Sequence, residues 1–311
     1  MTYAQNGLVE AADYNALVGG DPTSTANTLN ATWAVGSGNA GYGQTAEGNV
    51  AIGDSVTATK WANLVNKTSN AATHQGSTIS SVSAPVSGGT ITYVSAIPTN
   101  LQTVYSNRLN AASQGSTTSN TVTRGTTWSA GLTFTHTATF ANANAARYFF
   151  NSGGQIKMTV AHPTGTNINL LFFDLCSNVG TVVLSAPTSG SATIAGTAYN
   201  GVTKVGGGGT APTIDANKGF YALTTANTTL FTQTASTGPA AYLSTFIRFI
   251  AKVDSNTAPT VLTVYSVWDE IPDGYTVSVG SATTMTVTPP ETTNLANSWG
   301  TITLAGSQTG S

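Results

Sequence analysis

Charge is what this chain has least of: ten basic and twelve acidic residues serve 311 positions, 7% of the whole, where ordinary soluble domains carry roughly a quarter. The ten cations stand singly, with no stripe to displace counterions from phosphate, which argues against nucleic acid as a partner. Acids are as sparse. Glycoside cleavage needs two carboxylates brought together, and the only acidic cluster is Asp269, Glu270 and Asp273. It lacks the spacing of an EF-hand loop and reads as a solvated turn beyond the strand that ends at Trp268. One cysteine, Cys176, excludes an intrachain disulfide, and the largely apolar run Leu170–Leu175 before it predicts a buried thiol. The three histidines, His74, His136 and His162, fall in none of the spacings that hold zinc.

Long apolar runs are missing too, so no membrane-spanning helix is expected. The start, Met1-Thr2-Tyr3-Ala4-Gln5, lacks the basic and apolar regions of a cleavable export signal, which points to synthesis in a cytoplasm without export. There is no G-x-S-x-G nucleophile elbow. Gly36-Ser37-Gly38-Asn39-Ala40-Gly41 fits G-x-G-x-x-G, but Tyr42-Gly43-Gln44 continues it as loop where a dinucleotide site needs a helix. Gly206–Gly209 reads as a linker or loop tip. These absences predict a non-enzyme, with no catalytic residues, no cofactor-binding residues, no metal ligands and no cofactor.

What fills the chain is threonine, serine, asparagine and glycine around a 40% hydrophobic content. Such a sequence can bury cores, but its surface must be hydroxyl- and amide-rich. A net charge of −2 leaves little self-repulsion and favours association. Residues 1–115 carry the helical patterns. Ala11–Val18 reads as a short helix ended by Gly19-Gly20. Ser55–His74 reads as a longer one, capped by Thr57 or Thr59, with Trp61, Leu64, Val65 and Ala72 on one stripe. Pro98–Ser113 is a third. Trp33–Gln44 reads as a glycine-punctuated loop, and Ser77–Val94 as a loop with one short strand.

From residue 116 the texture turns to β. Strands are expected at Thr121–Trp128, Leu132–Phe140, Arg147–Phe150, Gln155–His162, Thr181–Leu184, Ala192–Thr197, Gly201–Val205, Gly219–Leu223 and Thr229–Gln233. Further strands are expected at Tyr242–Val253, Val261–Asp269, Tyr275–Val279, Met285–Thr288 and Ser298–Leu304. Arg147–His162 reads as a hairpin turning at Asn151-Ser152-Gly153-Gly154. Leu243–Lys252 is apolar on both sides of its alternation, as in a strand buried on two faces. Asn169–Cys176 is the exception, read as a helix laid across a sheet. Pro187, Pro212, Pro239, Pro259 and Pro289-Pro290 punctuate the strands at intervals typical of an antiparallel sandwich. The fold class expected is mainly β, a sandwich-like antiparallel body over 116–311 with a small helical region over 1–115. A split of the body into two sub-domains near 206–212 stays open.

Three stretches carry a family resemblance. They are Tyr14-Asn15-Ala16-Leu17 with Trp33–Gln44 (WAVGSGNAGYGQ), Val56–Asn66 closing at His74-Gln75-Gly76, and Arg147–Ile156 (RYFFNSGGQI). In this order they resemble virion structural proteins of tailed bacteriophages, especially phages of marine bacteria and cyanobacteria, of the kind labelled neck or tail proteins. The resemblance spans about residues 8–165 and brings no catalytic residues with it. It implies a virion location and a neck or tail appendage or fibre-like protein acting through subunit interfaces, with residues 1–115 as the anchor. Its partners would be its own copies, as a homotrimer or other symmetric oligomer, and other virion proteins. A host-surface glycan- or receptor-binding module and a capsid decoration protein are the alternatives. Tyr42, Tyr199, Tyr221, Trp128 and Trp299 are the aromatics that would stack on sugars, or else anchor a core.

Overall fold

The computed structural model describes residues 9–19, 27–86, 88–89, 91, 95–210, 212–236, 242–271 and 274–310. Four helices come first: α1 (Ala11–Val18), α2 (Leu29–Trp33), α3 (Ala58–Gln75) and α4 (Ala96–Ser106). The longest, α3, starts where the Thr57 hydroxyl accepts from the Lys60 amide and stops at Gly76, whose φ of +68° closes the last turn. Trp61, Leu64, Val65, Ala71 and Ala72 form its buried stripe. They pack with Tyr14, Leu17, Trp33, Leu101 and Val104 into one core, joined by Leu295 from far along the chain.

The β body follows with β1 (Thr118–Thr123), β2 (Gly131–Thr139), helix α5 (Ala143–Asn151), β3 (Gln155–Ala161), helix α6 (Ile168–Val179) and β4 (Thr181–Leu184). Next come β5 (Ala192–Ile194), β6 (Thr197–Tyr199), β7 (Val202–Val205), β8 (Thr213–Ile214) and β9 (Thr228–Thr234). The chain closes with β10 (Phe246–Val253), β11 (Val261–Asp269), β12 (Ala282–Thr288) and β13 (Thr303–Gly310). The body is a sandwich-like pair of antiparallel sheets, ordered β1-β12-β3-β4-β7 and β13-β2-β11-β10-β9-β8, with β5-β6 as a separate hairpin. Alternation decides which face is inside. Leu132, Phe134, His136 and Ala138 of β2 are buried, as are Ile247, Phe249, Ala251 and Val253 of β10. They meet Ile156, Met158, Val182, Met285 and Val287 of the other sheet.

The sheets touch directly through β1–β13 and β2–β12, while α6 contacts β3 on one side and β9 and β10 on the other. The α6 ring of Phe172 stacks on Trp268 at 5.7 Å and meets Trp128 at 5.0 Å. Cys176, on the same helix, is buried and free. The helix expected at Asn169–Cys176 is therefore present, and it covers the apolar interior of the sheets.

Several strand expectations need correction. Arg147–Phe150 is not a hairpin arm but the last part of α5. The Asn142 side chain caps that helix by accepting from the Ala145 amide at 2.9 Å, and the stretch buries Phe149 and Phe150 on the side where a helix meets the core. Gly153, at φ +87°, then turns the chain into β3. Gly219–Leu223 holds a single 3₁₀ turn, Phe220–Ala222. Tyr275–Val279 makes one bridge, Val277 to Trp128. β1 lies upstream of Trp128, and β13 runs beyond Leu304 to Gly310. β10 buries one face only; Phe246, Arg248, Ile250 and Lys252 on the other face are half-buried, with Arg248 over the Phe246 ring at 4.3 Å. The missed elements are α2, β6 and β8. In Ser77–Val94 the described residues contain no strand. Gly20, Pro239, Asp273 and Met1–Gln5 lie outside the described residues.

Candidate interaction site

Part of each of the three stretches that carry the resemblance meets the others at one junction: the loop Trp33–Gln44, the end of α3 at His74-Gln75, and Arg147–Ser152. The loop Trp33–Gln44 is held by donors from three other segments. From α5, Arg147 donates to the carbonyls of Gly38, Val35 and Ala40 at 3.1–3.2 Å. Asn151, fully buried at the end of the same helix, donates to Ala40 at 3.1 Å and Gly41 at 3.0 Å, with a longer contact to Gly38 at 3.3 Å. Arg108 closes on Asn39 through its backbone carbonyl (3.0 Å) and side-chain oxygen (2.9 Å). Tyr221 donates to the Asn151 side-chain oxygen at 2.6 Å. A glycine-rich loop exposes carbonyls that no regular element satisfies, and these guanidinium and amide donors satisfy them. The G-x-G-x-x-G match is thus a packed loop and not a phosphate cradle, because its carbonyls face inward to donors.

Close approach explains the glycines. Gly43 has φ +70°, and a Cβ there would enter the Tyr148 ring. Next to it Tyr42 is fully buried; its hydroxyl donates to Arg108 O at 2.9 Å and accepts from Gln75 of α3 at 2.7 Å. Burial pushes the Tyr42 hydroxyl pKa far above its usual value. Gln44 reaches forward to residue 296, donating to Ala296 O at 2.8 Å and accepting from its amide at 2.9 Å.

One buried ionisable pair belongs to the same junction. His74, at the end of α3, lies 3.2 Å from Glu291 and 3.1 Å from the Ser152 carbonyl just after α5. Burial lowers the His74 pKa against the opposite pull of Glu291 and that carbonyl. Burial also works to raise the Glu291 carboxyl, but hydrogen bonds from His74, the Thr293 amide and Asn294 outweigh it and hold it below the usual value. The pair ties three segments together.

A second polar set has the outline of a nucleophile with a base. His162 Nδ1 lies 2.9 Å from Ser281 Oγ and its Nε2 lies 3.2 Å from Asn169 Oδ1. The arrangement is closed. Ser281 is fully buried and accepts from Trp128 Nε1 at 3.1 Å, and Asn169 Oδ1 also accepts from the Ser278 amide at 2.7 Å. No substrate carbonyl can approach this hydroxyl, so the trio braces α6 against the 278–281 segment. Among the described residues no group of three histidine, cysteine or acidic side chains is placed to hold a metal ion. No described helix is long and apolar enough to cross a membrane.

The acidic cluster is not a solvated turn throughout: Glu270 is fully buried, and its carboxylate accepts from the Tyr275 amide at 3.0 Å. Of the aromatics singled out from the sequence, Tyr42, Trp128 and Trp299 are core residues and Tyr199 and Tyr221 are half-buried. Sequence reasoning missed Arg108 and Glu291, and the parts that Asn151 and Tyr221 play in holding the loop. Only Asn151 had a signal, as a polar residue ending an otherwise aromatic run. It also missed a surface pair: Tyr242 and Tyr275 meet edge to face at 5.2 Å beside exposed Leu243 and Ile271. Tyr275 raises the Tyr242 pKa to about 12 through their hydrogen bond. Compared with protein-family models, with curated proteins and with solved structures, the chain matches none.

Proposed function

We propose that this chain is a structural component of a tailed-bacteriophage virion, a neck or tail appendage that works through subunit interfaces and not through chemistry. The observation that carries the reading is the junction. Residues from each of the three stretches that resemble phage structural proteins, more than a hundred positions apart, fix a helical region to a β body. A sparsely charged, hydroxyl-rich surface supports it further, since such a surface resists association weakly. In this reading residues 1–115 dock on a neighbouring virion protein and the β body projects. Immuno-electron microscopy tests it: antibody raised against the full chain should decorate the neck or tail of purified particles. Particles free of label, with the protein left in the soluble fraction of the lysate, contradict it.

The solvent-facing pair Tyr242 and Tyr275 favours one alternative, a host-surface glycan-binding module, because aromatic rings stack on sugar faces. Glycan-array binding that disappears in Tyr275→Ala would move the assignment there.

A further inference from the structure

Sheet edges decide how a β body meets other chains, because an outer strand carries unpaired N–H and C=O groups along its length. The two large sheets end on four strands, β1 and β7 in one and β13 and β8 in the other. Two of these are blunted by their own build. β8 is two residues long, and β7 is four residues long and carries Lys204, whose Nζ donates to Gly208 O. β1 is longer but is followed at once by Arg124.

β13 carries none of the usual protection in its own sequence. It runs eight residues, Thr-Leu-Ala-Gly-Ser-Gln-Thr-Gly, with no charge and no proline. Its register with β2 is one to one from Thr303↔Thr139 to Gly310↔Leu132, with no bulge to twist the edge away. Six of its eight residues are exposed. Leu304 packs on the core, and Gly306 lies close to Val122, Asn120 and His136, so Thr303, Ala305, Ser307 and Thr309 form the outward face. Arg124 guards the far end alone, donating to Gln308 Oε1 at 3.0 Å and to Gly310 O at 3.2 Å.

We infer that β13 pairs edge to edge with β13 of a second copy of this chain, antiparallel about a two-fold axis, so that one sheet runs through both subunits. The inference rests on the reading of the protein as an assembly part and names the surface it uses. Self-pairing centred on Gly306 sets Thr303 opposite Thr309, Leu304 opposite Gln308 and Ala305 opposite Ser307, so that outward residues meet outward residues. No like charges meet in that register. A foreign strand would need to be chosen by side-chain pockets or opposite charge, and β13 offers neither. A two-fold closes the assembly by giving each copy's edge to the other.

Two lysines on the outward face test it without touching the β2 pairing. At roughly 50 µM the full-length wild-type chain should scatter as a dimer or a multiple of one, since association in the micromolar range is then populated. Ala305→Lys/Ser307→Lys should weaken that association by about a hundredfold or more, because four lysines would meet across one axis. Its far-UV spectrum and melting temperature under dilute conditions should stay those of the wild type. Ser307→Cys should be joined to its partner by a short bismaleimide, with the buried Cys176 silent. A wild-type oligomer that the lysine pair leaves unchanged overturns the inference while leaving the assembly reading intact. A wild-type monomer, with no cross-link formed in Ser307→Cys, also overturns it, and particle labelling then judges the virion reading separately.

Discussion

Asn151 is the residue on which the junction should fail most clearly. Its amide group has two hydrogens for the carbonyls of Gly38, Ala40 and Gly41, and its oxygen takes the Tyr221 hydroxyl at 2.6 Å. Asn151→Ala removes about three good hydrogen bonds at a fully buried position and leaves the partners without replacements. At roughly 1 kcal/mol per bond lost, with more where a group stays dry, the loss is about 3 kcal/mol. For a chain of this size that lowers the melting temperature by about 5 °C. Asn151→Asp should be worse, since a carboxylate would face the same carbonyls. Asn144→Ala, two helical turns earlier and exposed, removes only the Arg147 Nη1 contact and should change stability by under about 0.5 kcal/mol. Thermal unfolding followed by circular dichroism measures all three. Asn151→Ala melting within about 1 °C of the wild type, or Asn151→Asp matching Ala, would refute the assignment of the junction to these bonds.

Other expectations follow from the same interior. His136 sits between the sheets, and burial lowers its pKa from 6.5 to about 4, a pull that its contact with the Thr283 backbone only partly opposes. The unfolded chain therefore takes up a proton that the folded chain refuses, and stability falls as pH drops from 6.5 towards 4. The full window is worth about 3 kcal/mol at most, so urea midpoints for His136→Leu should fall less steeply with acid than those of the wild type. Parallel slopes would contradict this. Gly43→Ala adds a Cβ at φ +70° against the Tyr148 ring, which should lose about 2–4 kcal/mol by urea titration. Burial raises the Cys176 thiol pKa far above its usual value, so iodoacetamide should label it only after denaturation, as read by mass spectrometry.

How much of this was readable in advance depended on whether local pattern or distant pairing decided each element. α1 and β11 stand where the sequence pattern places them, and α6 is a helix where the pattern fits a strand as well and the need to cover a sheet favours the helix. Arg147–Phe150 misled because aromatic content favours strands by composition, while the Asn142 cap and the alanines after it start a helix. β13 was set too early because Gly306, Ser307 and Gln308 have low strand propensity; its long pairing with β2 overrides them. The junction was legible only as wording. Nothing local says that Arg147 and Asn151 will reach a loop more than a hundred residues back, or that His74 will meet Glu291. Such meetings belong to topology, which spacing along the chain does not encode.

The central claim is that this is a part built to be joined to others, and its mass in solution tests that most directly. Light scattering on the purified full-length chain, over a dilution series, should give at least twice the 31.5 kDa of one copy at the concentrated end. A constant 31.5 kDa at every concentration would contradict it.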